Sequence, residues 1–450
     1  MSEPDDGGRH RLDAGSETSF GVEDVLGNPP QGAVPKHAAT TQARSSQWNR
    51  RRDKVLAAAI TVAFLLTASL VWATSATRAT TSNVAAAGPA VPPAPSVVPG
   101  SLAEIWQARS AAAPVPIANA NTVVTADGGE VAGRDPITGK IRWNYTRDLQ
   151  LCTVAAAWSK VNAVYRHVGV NGLGGCSEVT QLDPATGRRT AQRNGDAEFG
   201  TRLVSDGSHV TTTGTKLLNS WRDDLVKTME YGEVRALVKP NAQPRKGCTF
   251  GTVAAAAGNV GVIERCPGDP GDRLTVYKSS GGEADEPKPV FSSVLAGRSA
   301  KVVAMSGEST AVALPEQKLL VIYGIDGNQR AAYPLDLPAG DLAQDPPGGV
   351  ETTSVTESAV YWFTGTKTLA LSIGDLTPRW TLDSAAGPGI TFANQLVVPI
   401  KGGLAVLNEK DGSTIRTIGV DRRGYTGPVQ LGTIGPVLLE QRGDTLAALR

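Results

Sequence analysis

The sequence predicts an all-β fold: an eight-bladed β-propeller of four-stranded antiparallel blades, preceded by one transmembrane helix and a disordered tail. Three observations predict it. The turn Asp-Pro-x-Thr-Gly occurs twice, in "GRDPITGKIRW" and "QLDPATGRRT", at Asp135 and Asp183. Short apolar runs broken by turn residues recur at blade-like intervals from residue 102 to the end. Both ends of that region read as strands without local partners.

Composition fits. Gly is 50 and Pro is 29 of 450 residues, as a turn-rich chain requires. Lys plus Arg is 44 and Asp plus Glu is 43, a balance that gives no electrostatic footprint for nucleic acid.

In chain order, residues 1–54 are rich in Gly, Ser, Thr, Pro and charge and read as a disordered cytoplasmic tail. Its acids gather in 1–24 and its bases in 25–54, and Thr18 in "GSETSFGVED" is an exposed candidate for phosphorylation. Residues 55–73, "VLAAAITVAFLLTASLVWA", carry no charge. As a helix they span about 28 Å, close to a bilayer core. Arg50, Arg51, Arg52 and Lys54 precede this stretch and only Arg78 follows closely. The positive-inside rule therefore places the tail in the cytoplasm and the rest outside. A cleaved signal peptide is the alternative, but the leading segment is far too long for one. Residues 74–101, ending "AAAGPAVPPAPSVVPG", read as an extended Pro/Ala linker reaching roughly 85 Å.

Residues 102–450 hold the propeller. Runs such as "NTVVTA", "VGVIERC", "SAVYWF" and "QLVVPI" read as strands, each followed by a bend and another strand. Third strands are expected near residues 130, 176, 215, 272, 317, 366, 403 and 444. The intervals suit blades of about 40–50 residues. The repeated turn has a physical role after the third strand. Asp135 and Asp183 cap it through their carboxylates, Pro136 and Pro184 fix φ, and Gly139 and Gly187 supply the left-handed residue. Trp143 follows on the outer strand, where a flat ring packs between blades. "IGDLTPRW", ending at Trp380, and "NEKDGSTIRT" are looser versions.

"RDPITGKIRW" resembles the pyrroloquinoline-quinone-like (quinoprotein-like) propeller repeat, whose outer strands end D-x-x-T-G-x-x-x-W. The whole arrangement resembles actinobacterial single-pass membrane proteins with such an ectodomain. The chain ends inside a third strand, "DTLAALR", while "LAEIWQAR" with Trp106 opens the region without partners. Residues 102–109 are therefore expected to complete the last blade, closing eight.

Alternating strand directions sort the connections onto two faces. First-to-second and third-to-fourth turns, such as "SDGS" and "EKDG", are short. The other face carries "HVGVNGLGG", "YGEVRALVKPNAQPRKG", "PGDPGD" and "PAGDLAQDPPGG". Long loops on a rigid scaffold are where binding concentrates. Cys152, Cys176, Cys248 and Cys266 all fall on that edge. An even count outside the cytoplasm reads as disulfides, expected as 152–176 and 248–266.

Quinone binding is the family's best-known chemistry, and it uses a vicinal cysteine pair and a calcium-binding acid/amide set. Neither motif occurs here. His167 and His209 are the only histidines after residue 54 and lie in different blades, which suggests no metal site. No G-x-S-x-G supports a nucleophile, and Asp223–Asp224 reads as a solvated turn. The expectation is a scaffold or adaptor of the cell envelope with no catalytic residue, cofactor or metal. It would bind envelope protein through its long-loop face and the membrane through its helix, with no nucleic acid or small-molecule substrate. A quinone-dependent dehydrogenase or a ligand sensor is the alternative.

Overall fold

The computed structural model describes residues 50–450 except 76–77, 120, 169–173, 236, 238 and 240. The expectations for 1–49, including the disordered tail and Thr18, lie outside the described residues. One helix, Arg51–Ala73, has a mean hydropathy of 2.3 over its most apolar window and is long and apolar enough to cross a membrane. It starts four residues before the uncharged stretch and takes in Arg51, Arg52 and Lys54.

The strands form eight antiparallel sheets, one per blade. In sequence the blades run 117–147, 151–197, 203–232, 249–294, 301–334, 352–382, 390–419 and 429–449. The last is completed by Glu104–Arg109, which pairs with Thr445–Leu449 from Arg109↔Thr445 to Glu104↔Leu449. Each expected third strand is present within about two residues of its expected start. One connection departs from the expected sorting: the third-to-fourth link of blade 4 spans 279–288 on the otherwise short-turn face.

Second strands such as Ala359–Phe363 and third strands such as Leu217–Trp221 are buried along their whole length. Each is covered by a neighbouring blade on both sides, so it reads as a continuous apolar run and not as an alternation. The core is a ring of apolar layers, each joining two successive blades. Val124, Trp143 and Tyr165 join blades 1 and 2, and Leu218, Phe250 and Val262 join blades 3 and 4.

The repeated turn folds as its chemistry requires. Asp135 Oδ1 accepts from the Ile137 and Thr138 N–H groups at 3.1 and 2.9 Å and from the Thr138 hydroxyl at 3.0 Å. Asp183 does the same with Ala185 and Thr186. Gly139 and Gly187 have φ of 69° and 74°. The reason for glycine is also tertiary. Trp106, on the outer strand of blade 8, lies against Gly139 of blade 1, where an added Cβ would sit 2.6 Å from the indole. Trp143 stands in the same way on Gly187, Phe291 on Gly327 and Trp380 on Gly412. The three indole N–H groups donate to Pro136 O, Pro184 O and Glu409 O at 2.8, 2.9 and 3.0 Å. Two seams reverse the sizes. The outer-strand residue is Ala191 or Ala331, and the left-handed residue facing it is Leu225 (φ 62°) or Leu376 (φ 59°). Each Ala–Leu pair shares one apolar cluster.

Of residues 74–101, expected to be an extended spacer, 78–101 are instead built into the propeller. Thr80–Asn83 adds a fifth strand to blade 1, pairing with the outer strand Ile141–Arg147. The Ala85 N–H donates to Thr186 O at 3.0 Å, and Asn121 Nδ2 donates to Gly88 O. Val91 packs on the layer between blades 8 and 1. Val98 is 2% exposed in the layer between blades 7 and 8, and its N–H donates to Gln395 Oε1 at 3.1 Å. Blade 8 has no third-to-fourth turn, because its outer strand comes from the other end of the chain. Arg416, at the position Trp143 holds in blade 1, donates to Val98 O, so the strap supplies the missing carbonyl. Composition suggested a spacer because Pro and Ala make few contacts among themselves. Here they make them with the short-turn face.

Candidate functional site: the long-loop face

The long-loop face is held by buried charges. Arg147 pairs with Glu178 at 2.9 Å behind the connection from blade 1 to 2. Arg245, from the connection between blades 3 and 4, forks onto Glu264 at 2.6 and 3.2 Å, with Tyr277 Oη donating to the same carboxylate at 2.8 Å. Arg422, from the connection between blades 7 and 8, reaches Glu440 at 2.8 Å and also donates to Ile400 O and Gly403 O. Glu264 and Glu440 have fully buried side chains. Removing one partner of such a pair leaves a charge without compensation in the interior, at a cost of about 3–5 kcal/mol. Burial pulls the Arg245 guanidinium down, but the hydrogen bond and charge of Glu264 outweigh it and leave it raised. Burial, reinforced by the Glu264 charge, pushes the Tyr277 phenol far up.

The connection from blade 5 to 6 crosses the mouth of the central channel. Near blade 6, Asp341 accepts from the Thr364 and Thr366 hydroxyls at 2.5 and 2.9 Å. At blade 5, the Lys301 ammonium, with a side chain 2% exposed, donates to Gln344 O at 2.7 Å and pairs with Asp345 at 3.1 Å. Arg265 of blade 4 takes the other Asp345 oxygen at 2.5 Å. The Gly348 N–H donates to Phe250 O at 3.1 Å, and Gly348 lies against Gly214 of blade 3, where a Cβ would meet backbone at 2.7 Å. Gly349 O accepts from Val253 N–H at 2.8 Å. Val253 belongs to the innermost strand of blade 4, whose free edge faces the channel. Returning from there to Thr352 of blade 6 takes the chain over the opening. Ala112 O and Ala386 O cap inner-edge N–H groups in the same way, on Val154 and Val429. Glu351, at the end of this connection, has its carboxyl pushed up by burial, only partly offset by the Lys301 charge.

Beside the crossed mouth lies a concavity of about 690 Å³. Connections of blades 6, 7 and 8 line it, with Phe363, Ala386, Lys401, Asp421, Tyr425 and Thr426 among its walls. More than half of its lining is Gly, Ala, Ser or Thr. Small residues of this kind let a peptide backbone approach closely.

The disulfides Cys152–Cys176 and Cys248–Cys266 fix two corners of this face, in blades 2 and 4. Cys248, Glu264 and Cys266 converge, but both sulfurs are spent in the disulfide and neither is a thiolate ligand. His167 and His209 do not meet; His209 sits 3.4 Å from Asp206 in a short turn of blade 3. Asp224 is held by Arg222 at 2.8 Å and is not merely solvated. Asp135, Gly139, Trp143, Asp183, Gly187, Trp106 and Trp380 all lie in seams between blades, away from the concavity. Sequence reasoning passed over the arginine–glutamate pairs. Their one local signal is a glutamate inside an apolar strand, Glu264 in "VGVIERC" and Glu440 in "VLLEQR".

No family model matches the chain, and no curated protein does. Solved structures do. BamB from Moraxella catarrhalis aligns at a TM-score of 0.47 and 15% identity, over 78% of this chain and 99% of that one. The C-terminal WD40 domain of Sif2 aligns at 0.48 and 12%, over 78% and 98%. The computationally designed Ika8 protein aligns at 0.51 and 12%, over 78% and 99%. At such identity the likeness is one of fold, and it agrees with the sheet topology: the chain is an eight-bladed β-propeller of four-stranded antiparallel sheets.

Proposed function

We propose that the protein is a non-catalytic, single-pass scaffold of the cell envelope, a propeller of the quinoprotein-like repeat type that binds another protein through its long-loop face. The concavity across blades 6–8 carries this reading. It measures about 690 Å³, and its wall residue Arg422 is pinned by a buried ion pair with Glu440. Loops already held in place lose little entropy on binding, which favours recognition over induced ordering. The basic residues before the helix favour a cytoplasmic N-terminus and an extracytoplasmic propeller. The connection over the channel mouth weighs against the quinone-dependent dehydrogenase, because a planar cofactor entering from that face meets Asp345 and Gly348 first.

The test is a photoreactive residue in cells at Thr426, within the concavity, and at Glu357, on the short-turn face. A discrete protein adduct at Thr426, absent at Glu357 and lost with Lys401→Glu, supports the reading. Equal or absent labelling at both positions overturns it.

A further inference from the structure

The seam between blades 5 and 6 departs from the rule that closes four of the others. At four seams an aromatic ring from the outer strand covers the next blade's turn, as Trp106, Trp143, Phe291 and Trp380 do. Here the outer-strand residue is Ala331, and the Leu376 that faces it is turned into the core with no exposure. An open cavity of about 460 Å³ remains, walled by Ile322, Ile325, Ala331 and Tyr333 on one side and by Asp375 and Thr377 on the other. The seam between blades 2 and 3 has the same Ala–Leu exchange, but there Gln181 and Arg193 bond to Asp223 O and Asp224 O at 3.0 and 3.3 Å. Ile373 corresponds to Pro136, Pro184 and Glu409, whose carbonyls receive the indole N–H groups at the tryptophan seams. Ile373 is 38% exposed. The rim is acidic. Glu308 and Asp375 are exposed at the cavity, and the one cation lining it among the described residues, Arg330, pairs with Asp326 at 2.7 Å.

We propose that this seam docks a tryptophan side chain of a partner protein, from a segment that also carries an adjacent basic residue. The propeller itself shows what fits: an indole whose ring lies on a turn and whose N–H meets the carbonyl after the third strand. The volume suits such a group, since small-ligand sites run from roughly 300 to 1,000 Å³. An aromatic ring placed there buries its faces against Ile322, Ile325 and Tyr333. The acidic rim complements a neighbouring Lys or Arg and discriminates against an acidic one. This surface lies on the outer rim towards the short-turn face. It is separate from the concavity across blades 6–8 and does not depend on it.

The full-length chain in detergent is titrated with acetyl-Gly-Trp-Arg-Gly-amide, followed by saturation-transfer NMR on the indole protons. Two variants accompany it. Ala331→Trp with Leu376→Gly recreates the Trp–Gly pair and fills the cavity with the chain's own ring. Ile325→Arg charges a wall residue that is 40% exposed and should leave the fold intact. The expected result is saturable binding to the wild type, at least about tenfold weaker with either variant. Trp→Ala and Arg→Glu peptides should bind comparably weakly, the latter chiefly at low salt. Absence of saturable binding to the wild type, or equal binding to Ile325→Arg, overturns the proposal. So does equal binding of the Trp→Ala peptide, which would mark a basic-peptide surface without an aromatic pocket.

Discussion

The Trp106 indole rests on Gly139 and donates 2.8 Å to Pro136 O, joining a strand from the start of the propeller sequence to the third-to-fourth turn of blade 1. The same relation recurs at Trp143–Gly187 and Trp380–Gly412. Ring closure and blade stacking are thus one interaction, repeated, and the two partners can be perturbed separately.

Trp143 is 1% exposed, so Trp143→Ala should cost about 3–5 kcal/mol in unfolding free energy. Trp106 keeps one side partly exposed, and Trp106→Ala should cost roughly half as much. Gly139→Ala pushes a methyl into the Trp106 ring at a φ of 69° and should cost about 1–3 kcal/mol. Denaturant unfolding of the full chain in detergent measures all three. A neutral Gly139→Ala would show that the ring does not rest on that backbone.

Removing residues 444–450 takes out Thr445–Leu449, the strand between Val437–Arg442 and Glu104–Arg109. It also leaves Glu104, which pairs with Arg442 at 3.0 Å, on a strand with no ladder. A terminal segment is normally expendable. Here its loss should lower the thermal midpoint at least as far as Trp143→Ala does. An unchanged midpoint would mean that the ends do not close the ring.

The disulfides close loops with sequence separations of 24 and 18. Each should contribute about 3 kcal/mol by restricting the unfolded chain. Mass mapping without reductant should return the linked peptides 152–176 and 248–266. Reductant should lower the thermal midpoint, and Cys152→Ser with Cys176→Ser should remove about half of that response. Free thiols at all four positions in cell-derived protein would contradict both the pairing and an oxidising compartment.

The turn aspartates make the fold acid-sensitive. Partial burial pushes the Asp135 carboxyl up, but the N–H and hydroxyl of Thr138, the Ile137 N–H and the Arg142 charge outweigh it, so it lies below the ordinary value. Asp183 is also held low: Thr186 and Lys160 overcome its burial. A carboxyl lowered in the folded state adds stability above its unfolded value, near 3.9, and loses it as pH falls through the folded value. The midpoint difference between wild type and Asp135→Asn/Asp183→Asn should therefore be full at pH 6 and shrink towards zero near pH 2. A difference that stays constant across that range would remove the carboxylate charge from the account.

The sequence by itself determined the repeat, the turns, the strand runs, the ring closure and the cysteine pairs. Each is written in local chemistry: a carboxylate that caps its own turn, a residue that must take positive φ, an apolar run long enough to be covered on both faces. Tertiary structure decided where Pro/Ala-rich residues 78–101 lie, which loop crosses the channel, and which arginine finds Glu264 or Glu440. The acceptors that fix the strap and the channel-mouth loops are backbone carbonyls, Val98 O, Gly349 O and Ala386 O among them. Every residue carries such a carbonyl, so it leaves no mark in the sequence. The buried ion pairs depend on side chains brought together only when blades stack. A segment that reads as a linker by composition is thus part of the ring, and at blade 8, which lacks its own third-to-fourth turn, its Val98 carbonyl accepts from Arg416.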